Sequence, residues 1–250
     1  MNKGLYTAAS AMQTNMRRMN ITSNNLANAD TDGFKRTDSI QKTFSEMLIS
    51  KIDSNGKNEI GKLGSGVEIA ENYTDYSSGS INHTDNKLDI AIKGRGFFTL
   101  QTPQGIRYSR NGSFSLNNLN QIINKQGHLL LNQQGEPIQT IPGREISIDK
   151  TGQIYFGDLA GDKINIADFN NYRNLSKIGD NLYQTNDGLV ENQANNFQIM
   201  QGYLESSNVN IVREMAGMIQ TTRAYETNQK IIQTIDNSLD KAVNDVGRLR

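Results

Sequence analysis

Two long helical patterns, one at each end of the chain, limit what this sequence can fold into. Near the N-terminus, side chains recur in alternating steps of four and three, the spacing of a coiled-coil stripe. The stripe consists of Leu5, Ala9, Met12, Met16, Met19, Ser23 and Leu26. It predicts a helix over about residues 4–27, roughly 36 Å long at ~1.5 Å per residue.

The C-terminal stretch repeats this spacing over a greater length. Its stripe runs through Ile211, Met215, Met218, Thr222, Tyr225, Gln229 and Ile232, and after a three-residue slip through Ile235, Leu239, Ala242, Val246 and Leu249. Ser207, Asn208 and Asn210 are residue types that cap helix N-termini. The pattern predicts a helix of about 40 residues, roughly 60 Å long.

Two interpretations of this pair remain open. Either the helices form an amphipathic pair packed on their own domain, or they form a bundle that also contacts neighbouring copies. The second is favoured because the stripes lie at opposite chain ends. It also suits a hydrophobic fraction of 35%, below the usual share of about 45–50%, since such a chain buries much of its apolar surface only on assembly.

The middle of the chain has the signature of a β domain. Glycines with turn-like neighbours recur over residues 67–200, and short strand-like runs such as LDIAI (88–92), GFFTL (96–100) and REISI (144–148) lie between them. Asn111-Gly112 separates two alternating runs and predicts a type I′ hairpin turn. Many short strands at this spacing predict an all-β sandwich or small barrel.

The segment before the β region is polar and contains glycine, and it predicts a connector. Phe44, Met47 and Leu48 are at helical spacing, which predicts one short helix near residues 44–49. The predicted architecture is α+β, with packed end helices around a central all-β domain. Its parts are an N-terminal helix (1–32), the connector (33–66), the β domain (67–204) and a C-terminal helix (205–250).

Charge and composition exclude several classes of protein. The 26 basic residues balance 26 acidic ones, so there is no general surface for tracking phosphates and no nucleic-acid partner is expected. The chain has no cysteine, which rules out disulfide and thiolate chemistry. No apolar run approaches the ~18 residues of a membrane span, and the first residues lack an apolar signal region. We therefore expect no membrane insertion and no cleaved signal peptide.

Motifs for catalysis, cofactors and metals are incomplete in this sequence. Gly94 and Gly96 are half of a dinucleotide fingerprint, but the third glycine is missing and a strand-like run follows. Asp30 and Asp32 resemble the start of a calcium loop that no glutamate closes. The two histidines lie far apart, and GxSxG and HExxH motifs are absent. We expect no catalytic, cofactor or metal site, and no enzyme activity.

Three segments resemble the flagellar basal-body rod and hook family. They are SNNLANADTDGFKR (23–36), LDIAIKGRGFFTL with RYSRNGSFSLN (88–117), and QGYLESSNVNIVREMAGMIQTTRAYETN (201–228). Their order and spacing make the resemblance cover nearly the whole chain. Within the family, LGSGVEI (63–69) and IKGRGFF are most similar to the distal rod subunits, with the proximal rod subunits close behind. A hook subunit usually carries a larger middle insertion.

The resemblance implies a structural subunit of the flagellar basal body. It implies self-association into a helical polymer that transmits torque, with the helices lining a tube and the β domain facing outward. The implied partners are neighbouring rod and hook proteins, the flagellar type III export apparatus and the surrounding flagellar ring proteins. A proximal rod or hook-like axial subunit, a secreted β-rich adhesin and a wall-degrading enzyme stay open as alternatives.

Two sets of residues are expected to matter for such a role. The helical-core interface is predicted at Leu5, Ala9, Met12, Met16, Met19, Leu26, Ile211, Met215, Met218, Tyr225, Ile232, Ile235, Leu239 and Val246. The family motif is assigned to Asn24, Asn25, Leu26, Ala27, Asn28, Gly33 and Phe34. Its asparagines either bind neighbouring backbone groups or cap the helix, and Gly33 suits a positive φ angle.

Overall fold

The computed structural model describes residues 2–43, 47–53, 56–63, 66–185, 192–194 and 196–246. Two long helices stand at the ends, α1 (Asn2–Ala27) and α2 (Ile211–Lys241), and α2 continues into a π-helical turn, Ala242–Val246. A short 3-10 helix spans Tyr172–Asn174. No helix within these described ranges is both long enough and apolar enough to cross a membrane.

Short strands fill the region between the helices. They are β1 (Thr37–Thr43), β2 (Met47–Asp53), β3 (Gly56–Leu63), β4 (Val67–Thr74), β5 (Ile81–His83), β6 (Ile90–Gly94), β7 (Phe97–Thr102), β8 (Gly105–Ser109), β9 (Phe114–Leu116), β10 (Ile122–Asn124), β11 (Leu129–Leu130), β12 (Ile146–Ile148), β13 (Gln153–Phe156), β14 (Leu159–Lys163), β15 (Ile166–Asp168), β16 (Leu175–Gly179), β17 (Leu182–Thr185), β18 (Asn192–Gln193), β19 (Phe197–Gln201) and β20 (Tyr203–Glu205).

The chain divides into two compact units. The helical unit comprises residues 1–27, 37–73 and 210–250, and the β unit comprises residues 28–36 and 74–209. Each unit is therefore built from segments that are separated in sequence. The predicted domain boundaries at residues 33, 67 and 205 concern parts that fold separately. They stay a prediction. The coarse architecture, α+β with a helix at each end and β structure between, is confirmed.

In the helical unit, α1 and α2 pack side by side in opposite directions. Gly4 lies near the Ile235 side chain, and Thr222 lies 4.0 Å from the Met19 sulfur. Asn25 and Glu214 meet at the other end of the pair. The N-terminus of α2 is capped by Asn210, whose side chain accepts a hydrogen bond from the Arg213 amide, as expected for an asparagine N-cap.

The segment predicted to be a connector, residues 33–66, contains three strands, β1, β2 and β3. β1 pairs with β4, and β2 pairs with β3 in antiparallel register from Met47↔Leu63 to Asp53↔Gly56. The short helix predicted near residues 44–49 is therefore wrong for residues 47–49, while Phe44 lies outside the described residues. Three apolar residues at helical spacing make less than two turns, and so short a helix is outcompeted by cross-strand pairing.

The β unit contains a nine-stranded sheet and several smaller ones. Its main path runs β16-β17-β8-β7-β11-β10-β9, with β15 pairing to both β7 and β18. A three-stranded sheet has the order β12-β13-β14, and β19-β6 and β20-β5 are two-stranded. The strand-like runs at 88–92, 96–100 and 144–148 overlap β6, β7 and β12.

Two apolar clusters form the core of the β unit. The larger one contains Ile90, Phe98, Leu100, Ile122 and Leu130 among its fully buried side chains. The smaller one is aromatic and is centred on Phe97, Phe169 and Tyr183, and the Phe97 ring meets the other two at tilted angles. Burial of this apolar surface is the main term that stabilises the unit.

Four turns of the β unit share one hydrogen-bond pattern. In each, an Asn or Asp side chain accepts from the backbone amides two and four residues later. The fourth residue of each turn has a positive φ angle, and these residues are Asn120, Gly127, Gly135 and Gly152. The turns span 117–121, 124–128, 132–136 and 149–153, so a four-times repeated local unit, [N/D]-x-x-[G/N]-x, lies within the β region.

The hairpin predicted at Asn111-Gly112 does not form. β8 pairs with β7 and β17, whereas β9 pairs with β10. Neither Asn111 nor Gly112 has the positive φ angle that a type I′ turn requires. Gly112 is instead needed for close approach, because its carbonyl accepts from the Ile90 amide at 2.9 Å and a Cβ there would overlap the Ile90 carbonyl oxygen.

Candidate functional site

On α1, the buried row differs in phase from the predicted stripe. The structure buries or half-buries Leu5, Ala8, Met12, Asn15, Met19, Thr22 and Leu26, in unbroken steps of three and four. The predicted Leu5, Met12, Met19 and Leu26 belong to this row. Ala9 and Met16 do not, and both are exposed. Small or polar residues occupy the alternate positions, which lets a neighbouring helix approach closely.

On α2, the corresponding row is regular without a slip. It consists of Glu214, Met218, Thr221, Tyr225, Asn228, Ile232, Ile235 and Leu239, all buried or half-buried. The predicted Met218, Tyr225, Ile232, Ile235 and Leu239 are among them. Ile211 and Met215 are exposed, and the side chain of Val246 is outside the described part of the chain. The sequence pattern required a slip because it assigned Thr222 and Gln229 to the stripe. The structure has Thr221 and Asn228 in the row instead.

The two helices keep a large apolar surface exposed. Tyr6 is 69% exposed and Met16 is 48% exposed on α1. Val212 is 77% exposed and Ile219 is 53% exposed on α2. Such residues on one long helix pair are typical of a surface that another protein covers.

The motif at the end of α1 is a backbone-binding asparagine and not a simple cap. Asn25 is buried, and its side chain donates to the Thr37 carbonyl at 2.8 Å and accepts from the Thr37 amide at 3.0 Å. The Asn25 side-chain nitrogen also donates to Glu214 Oε2 on α2 at 3.4 Å. Asn25 thus joins α1, the start of β1 and α2 within the helical unit. Asn24 is exposed, and Leu26 is half-buried.

The rest of the motif lies in the β unit. Asn28 begins a turn in which its carbonyl accepts from the Thr31 amide at 3.2 Å. Gly33 has a φ angle of 68° and packs against the Arg110–Asn111 backbone, so the predicted positive φ is confirmed. Phe34 is buried, and the Lys177 ammonium sits 3.5 Å above its ring. Residues 33–35 are therefore part of the β unit's interior.

A buried charge cluster fixes this segment. Lys35 Nζ lies 2.6 Å from Glu205 Oε1, and Arg110 Nε lies 2.6 Å from Glu205 Oε2. Glu205 also accepts from the Gly79 amide at 3.0 Å, and Lys35 donates to the Ser77 carbonyl at 2.8 Å. Arg110 also donates three hydrogen bonds, to the carbonyls of residues 92, 94 and 96.

One carboxylate serves two cations in this cluster, and the pKa shifts follow from that. Burial would raise the pKa of the Glu205 carboxyl, but the Arg110 and Lys35 charges and their hydrogen bonds hold it below its ordinary value. Burial lowers the pKa of the Lys35 ammonium, because Glu205 only partly compensates for it. Removing Glu205 would leave two buried cations without their carboxylate, which is costly.

The cluster was missed by the sequence-based predictions. Its members come from three segments far apart in the chain, and each charge is surrounded by residues that do not mark it as buried. The sequence offered one signal. Each of the three segments that resemble the flagellar family contains one member of the cluster: Lys35 in the first, Arg110 in the second and Glu205 in the third. Over the described ranges, the His, Asp and Glu side chains form no group that could hold a metal ion.

Three family models match the chain. "Flagella basal body rod protein" matches residues 5–35, "Flagellar hook protein FlgE/F/G D1 domain" matches residues 91–156, and "Flagellar basal body rod FlgEFG protein C-terminal" matches residues 200–245. The first includes most of α1, the last includes all of α2, and the middle one lies in the β unit. Each model also covers one member of the buried charge cluster.

Curated relatives are similar over the full length. The flagellar hook-basal body complex protein FlhO of Bacillus subtilis is 36% identical, with 100% of both chains covered. A flagellar basal-body rod protein FlgG from Buchnera aphidicola (subspecies Schizaphis graminum) is 33% identical over 95% of this chain and 97% of its own. The rod protein FlgF of Caulobacter vibrioides is 31% identical, with both chains fully covered.

Proposed function

The chain belongs to the flagellar basal-body rod protein family, and from this premise we propose how it works as a subunit of the rod. The family is structural, so the chain is a building element of the flagellar basal body and not an enzyme. The proposal concerns what membership alone leaves open, namely the surface through which copies associate, the position in the rod and the partners.

We propose that the exposed apolar face of α1 and α2 is the surface through which copies associate. Tyr6, Met16, Val212, Met215 and Ile219 are its large exposed side chains. An isolated subunit leaves this area in water, and burial is worth about 25 cal/mol per Å² of apolar surface. Association of copies into a helical tube that transmits torque removes that cost.

The helical interface then has two parts with different tasks. Within one chain, the half-buried row holds α1 against α2 in a coiled-coil-like pair, using Leu5, Met12, Met19, Leu26, Met218, Tyr225, Ile232, Ile235 and Leu239. Between chains, the predicted interface residues that are exposed here, Ala9, Met16, Ile211 and Met215, face neighbouring subunits. The assignment of Val246 to this interface stays a prediction from the sequence.

We further propose a position in the distal rod, with the proximal rod as the alternative. Relatives named FlgG recur among the similar proteins, while FlgF and FlhO relatives are similar over the full length as well. The partners would be neighbouring rod and hook proteins, the surrounding flagellar ring proteins and the type III export apparatus. Under this proposal, the chain is exported without cleavage of a signal peptide from its N-terminus.

The association surface is tested by sedimentation velocity at rising protein concentration. We expect the purified chain to form larger species, and the double variant Val212→Ser, Ile219→Ser to shift assembly to higher concentration. Arg223→Ser is the matched control, because Arg223 is an exposed polar residue on the same helix. A chain that stays monomeric throughout, or a double variant that assembles like the parent, contradicts the proposed surface; the former result favours the adhesin alternative.

A further inference from the structure

The two segments at which the β unit begins and ends run side by side in the same direction. Gly33 donates its amide hydrogen to the Glu205 carbonyl at 2.6 Å, and Asn208 donates to the Phe34 carbonyl at 3.4 Å. Residue numbers increase in the same direction along both hydrogen-bonded segments, so residues 33–36 and 205–208 are parallel. The salt bridge between Lys35 and Glu205 joins the same two segments through side chains.

Asn208 adds a third segment to this pair. Its side-chain oxygen accepts from the Arg36 amide at 2.7 Å. Its side-chain nitrogen donates to the Asp75 carbonyl at 2.8 Å and also reaches the Ser77 carbonyl and hydroxyl. Arg36 in turn accepts from the Asp75 amide at 2.8 Å through its carbonyl. One amide therefore ties together three of the places where the chain passes in or out of the β unit.

This role is different from the capping role that the sequence predicts for Asn208. The cap of α2 is Asn210, which accepts from the Arg213 amide at 3.0 Å. Asn208 stands two residues earlier, and every bond described for it goes to residues of the β unit. Its contacts thus concern how the β unit is closed and not how α2 begins.

Parallel pairing decides how these bonds respond to a pulling force. The chain leaves the first segment towards residue 27 at its N-terminal end and leaves the second towards residue 210 at its C-terminal end. In a parallel pair these two ends lie at opposite ends of the pair. Tension applied through them acts along the segments, so all the cross-links stretch together and none can be opened singly. The same bonds in an antiparallel pair would open one after another.

We propose that residues 33–36 and 205–208 form a shear clamp, closed by the Lys35–Glu205 pair and by Asn208, that keeps the β unit folded under tension. The clamp gives the family motif at 28–36 a mechanical task, and this reading of its biological use rests on the proposed function in the rod. Asn208 acts as a positioning residue in the clamp, because it holds the third segment in register with the other two.

Single-molecule force spectroscopy on the full chain tests the clamp directly. The chain has no cysteine. Asp30→Cys and Val209→Cys therefore create unique attachment points at the two opposite ends of the clamp. We expect a lower rupture force when Asn208→Ala or Lys35→Met is added to this tethered chain. The pairing of α1 with α2 resists the same pull but is unchanged in every variant, so the difference between variants reports the clamp.

Asn82→Ala is the matched control. The Asn82 amide also bonds near the clamp, to the Ser206 hydroxyl at 2.9 Å, but its bond is exposed and joins no clamp segments to each other. Its rupture force should equal that of the parent. Asn208→Asp is a milder second variant, because it keeps an acceptor for the Arg36 amide and loses both donors, and it too should lower the force.

Hydrogen exchange separates loss of the clamp from loss of the fold. In Asn208→Ala, the Arg36 amide should exchange about fivefold to tenfold faster, the effect of losing one hydrogen bond, while the Leu100 amide in the core stays protected. Rupture forces that match the parent in all clamp variants would overturn the proposal. Because the measurement uses single chains, a failure of the chain to polymerise would refute the proposed function without affecting this result.

Discussion

Single residues in the repeated turns of the β unit show which glycines are needed for their conformation and which for their size. Gly127, Gly135 and Gly152 occupy the place that Asn120 occupies in the first turn, with φ angles of 85°, 82°, 86° and 57° respectively. Nothing lies within 4 Å of a Cβ at Gly127 or Gly135. The demand there is conformational, and asparagine is the residue that meets it most readily after glycine.

We expect Gly135→Ala to destabilise the protein by about 1 kcal/mol, the usual penalty for a non-glycine residue at a left-handed position. Gly135→Asn should cost clearly less, because Asn120 already shows that the turn accepts asparagine there. Thermal unfolding of the two variants measures the difference. Equal losses for alanine and asparagine would contradict this account of the turn.

The partly buried Lys177 predicts a dependence of stability on pH. Burial lowers the pKa of its ammonium from the ordinary value of 10.5 to about 8. Between these values the unfolded chain holds a proton that the folded chain has released, so stability should rise with pH in that window. Below pH 8 both states are protonated, and the residue adds no slope.

Urea unfolding of the parent and of Lys177→Met, at intervals from pH 7 to 10, isolates this contribution. The variant should lack part of the rise seen in the parent above pH 8, whereas Lys93→Met, at an exposed position, should retain it. Lys35 also makes stability rise with pH, because burial lowers its pKa as well. All three proteins contain Lys35, so its contribution cancels from the comparison. Identical pH profiles for the parent and Lys177→Met would refute the assignment.

At the level of elements, the phase of the two helices is the feature with most consequence. Both buried rows follow a strict heptad spacing when the small and polar residues between the large ones are included. Other large apolar residues, Met16 and Met215 among them, are exposed. The interface within the chain thus combines large apolar residues with small and polar ones, and further apolar surface remains available for contacts outside the chain.

Ala8 and Ala9 are adjacent, share the same helix propensity and differ in burial, so they test the phase. Ala8 is 5% exposed, and Ala9 is exposed. We expect Ala8→Glu to cost about 1–3 kcal/mol, since it places a charge in the pair. Ala9→Glu should stay within about 0.5 kcal/mol. Urea unfolding at low protein concentration measures both, and a larger loss at Ala9 would show that the phase is wrong.

Helix existence could be predicted from sequence, but helix phase could not. The spacing predicted α1 over residues 4–27, and the structure has Asn2–Ala27. The predicted stripe placed Met16 in one row with Met12 and Met19, because the sequence does not show that Asn15 and Thr22 are the half-buried members of that row. Tertiary packing decides this, and it also decided Asn111-Gly112, where contact with Ile90 overrides the local turn signal.

The buried charge cluster was beyond sequence reasoning for a related reason. A lysine, an arginine and a glutamate at positions 35, 110 and 205 are ordinary surface residue types, which are almost never fully buried unless paired. Only the fold brings them together, and their separation in sequence hides the pairing. The resemblance between this chain and its family pointed to the right segments without giving the contacts.

For the whole molecule, the paired strands β2 and β3 are relevant to the stiffness of the polymer. The resemblance implies that a rod is straight and stiff whereas a hook bends, and bending requires neighbouring subunits to slide. An antiparallel pair with a register from Met47↔Leu63 to Asp53↔Gly56 is a more rigid insert than a loose connector. Placed between neighbours, it would resist sliding.

Deleting residues 45–62 should therefore leave secretion and the β unit intact and give a more flexible polymer. Electron microscopy of assembled filaments measures their curvature and persistence. Replacing residues 45–62 with a Gly/Ser linker of equal length is the control that separates the loss of the strand pair from the loss of chain length. Filaments as straight as the parent in both cases would assign stiffness to other contacts.

The discontinuous helical unit has a consequence for the order of folding. Asn25 and Glu214 meet although 189 positions separate them, and closing so long a loop in an unfolded chain is entropically costly and slow. Once the β unit has formed, the bonds from residues 33 and 34 to residues 205 and 208 replace that loop with a path of about 15 residues, which lowers the closure entropy cost by about 2 kcal/mol. The α1–α2 pair, and with it the exposed apolar face of α1 and α2, is then expected to form last. A chain whose final forty or so residues have yet to appear cannot assemble this surface, and it is protected from premature aggregation by its own topology.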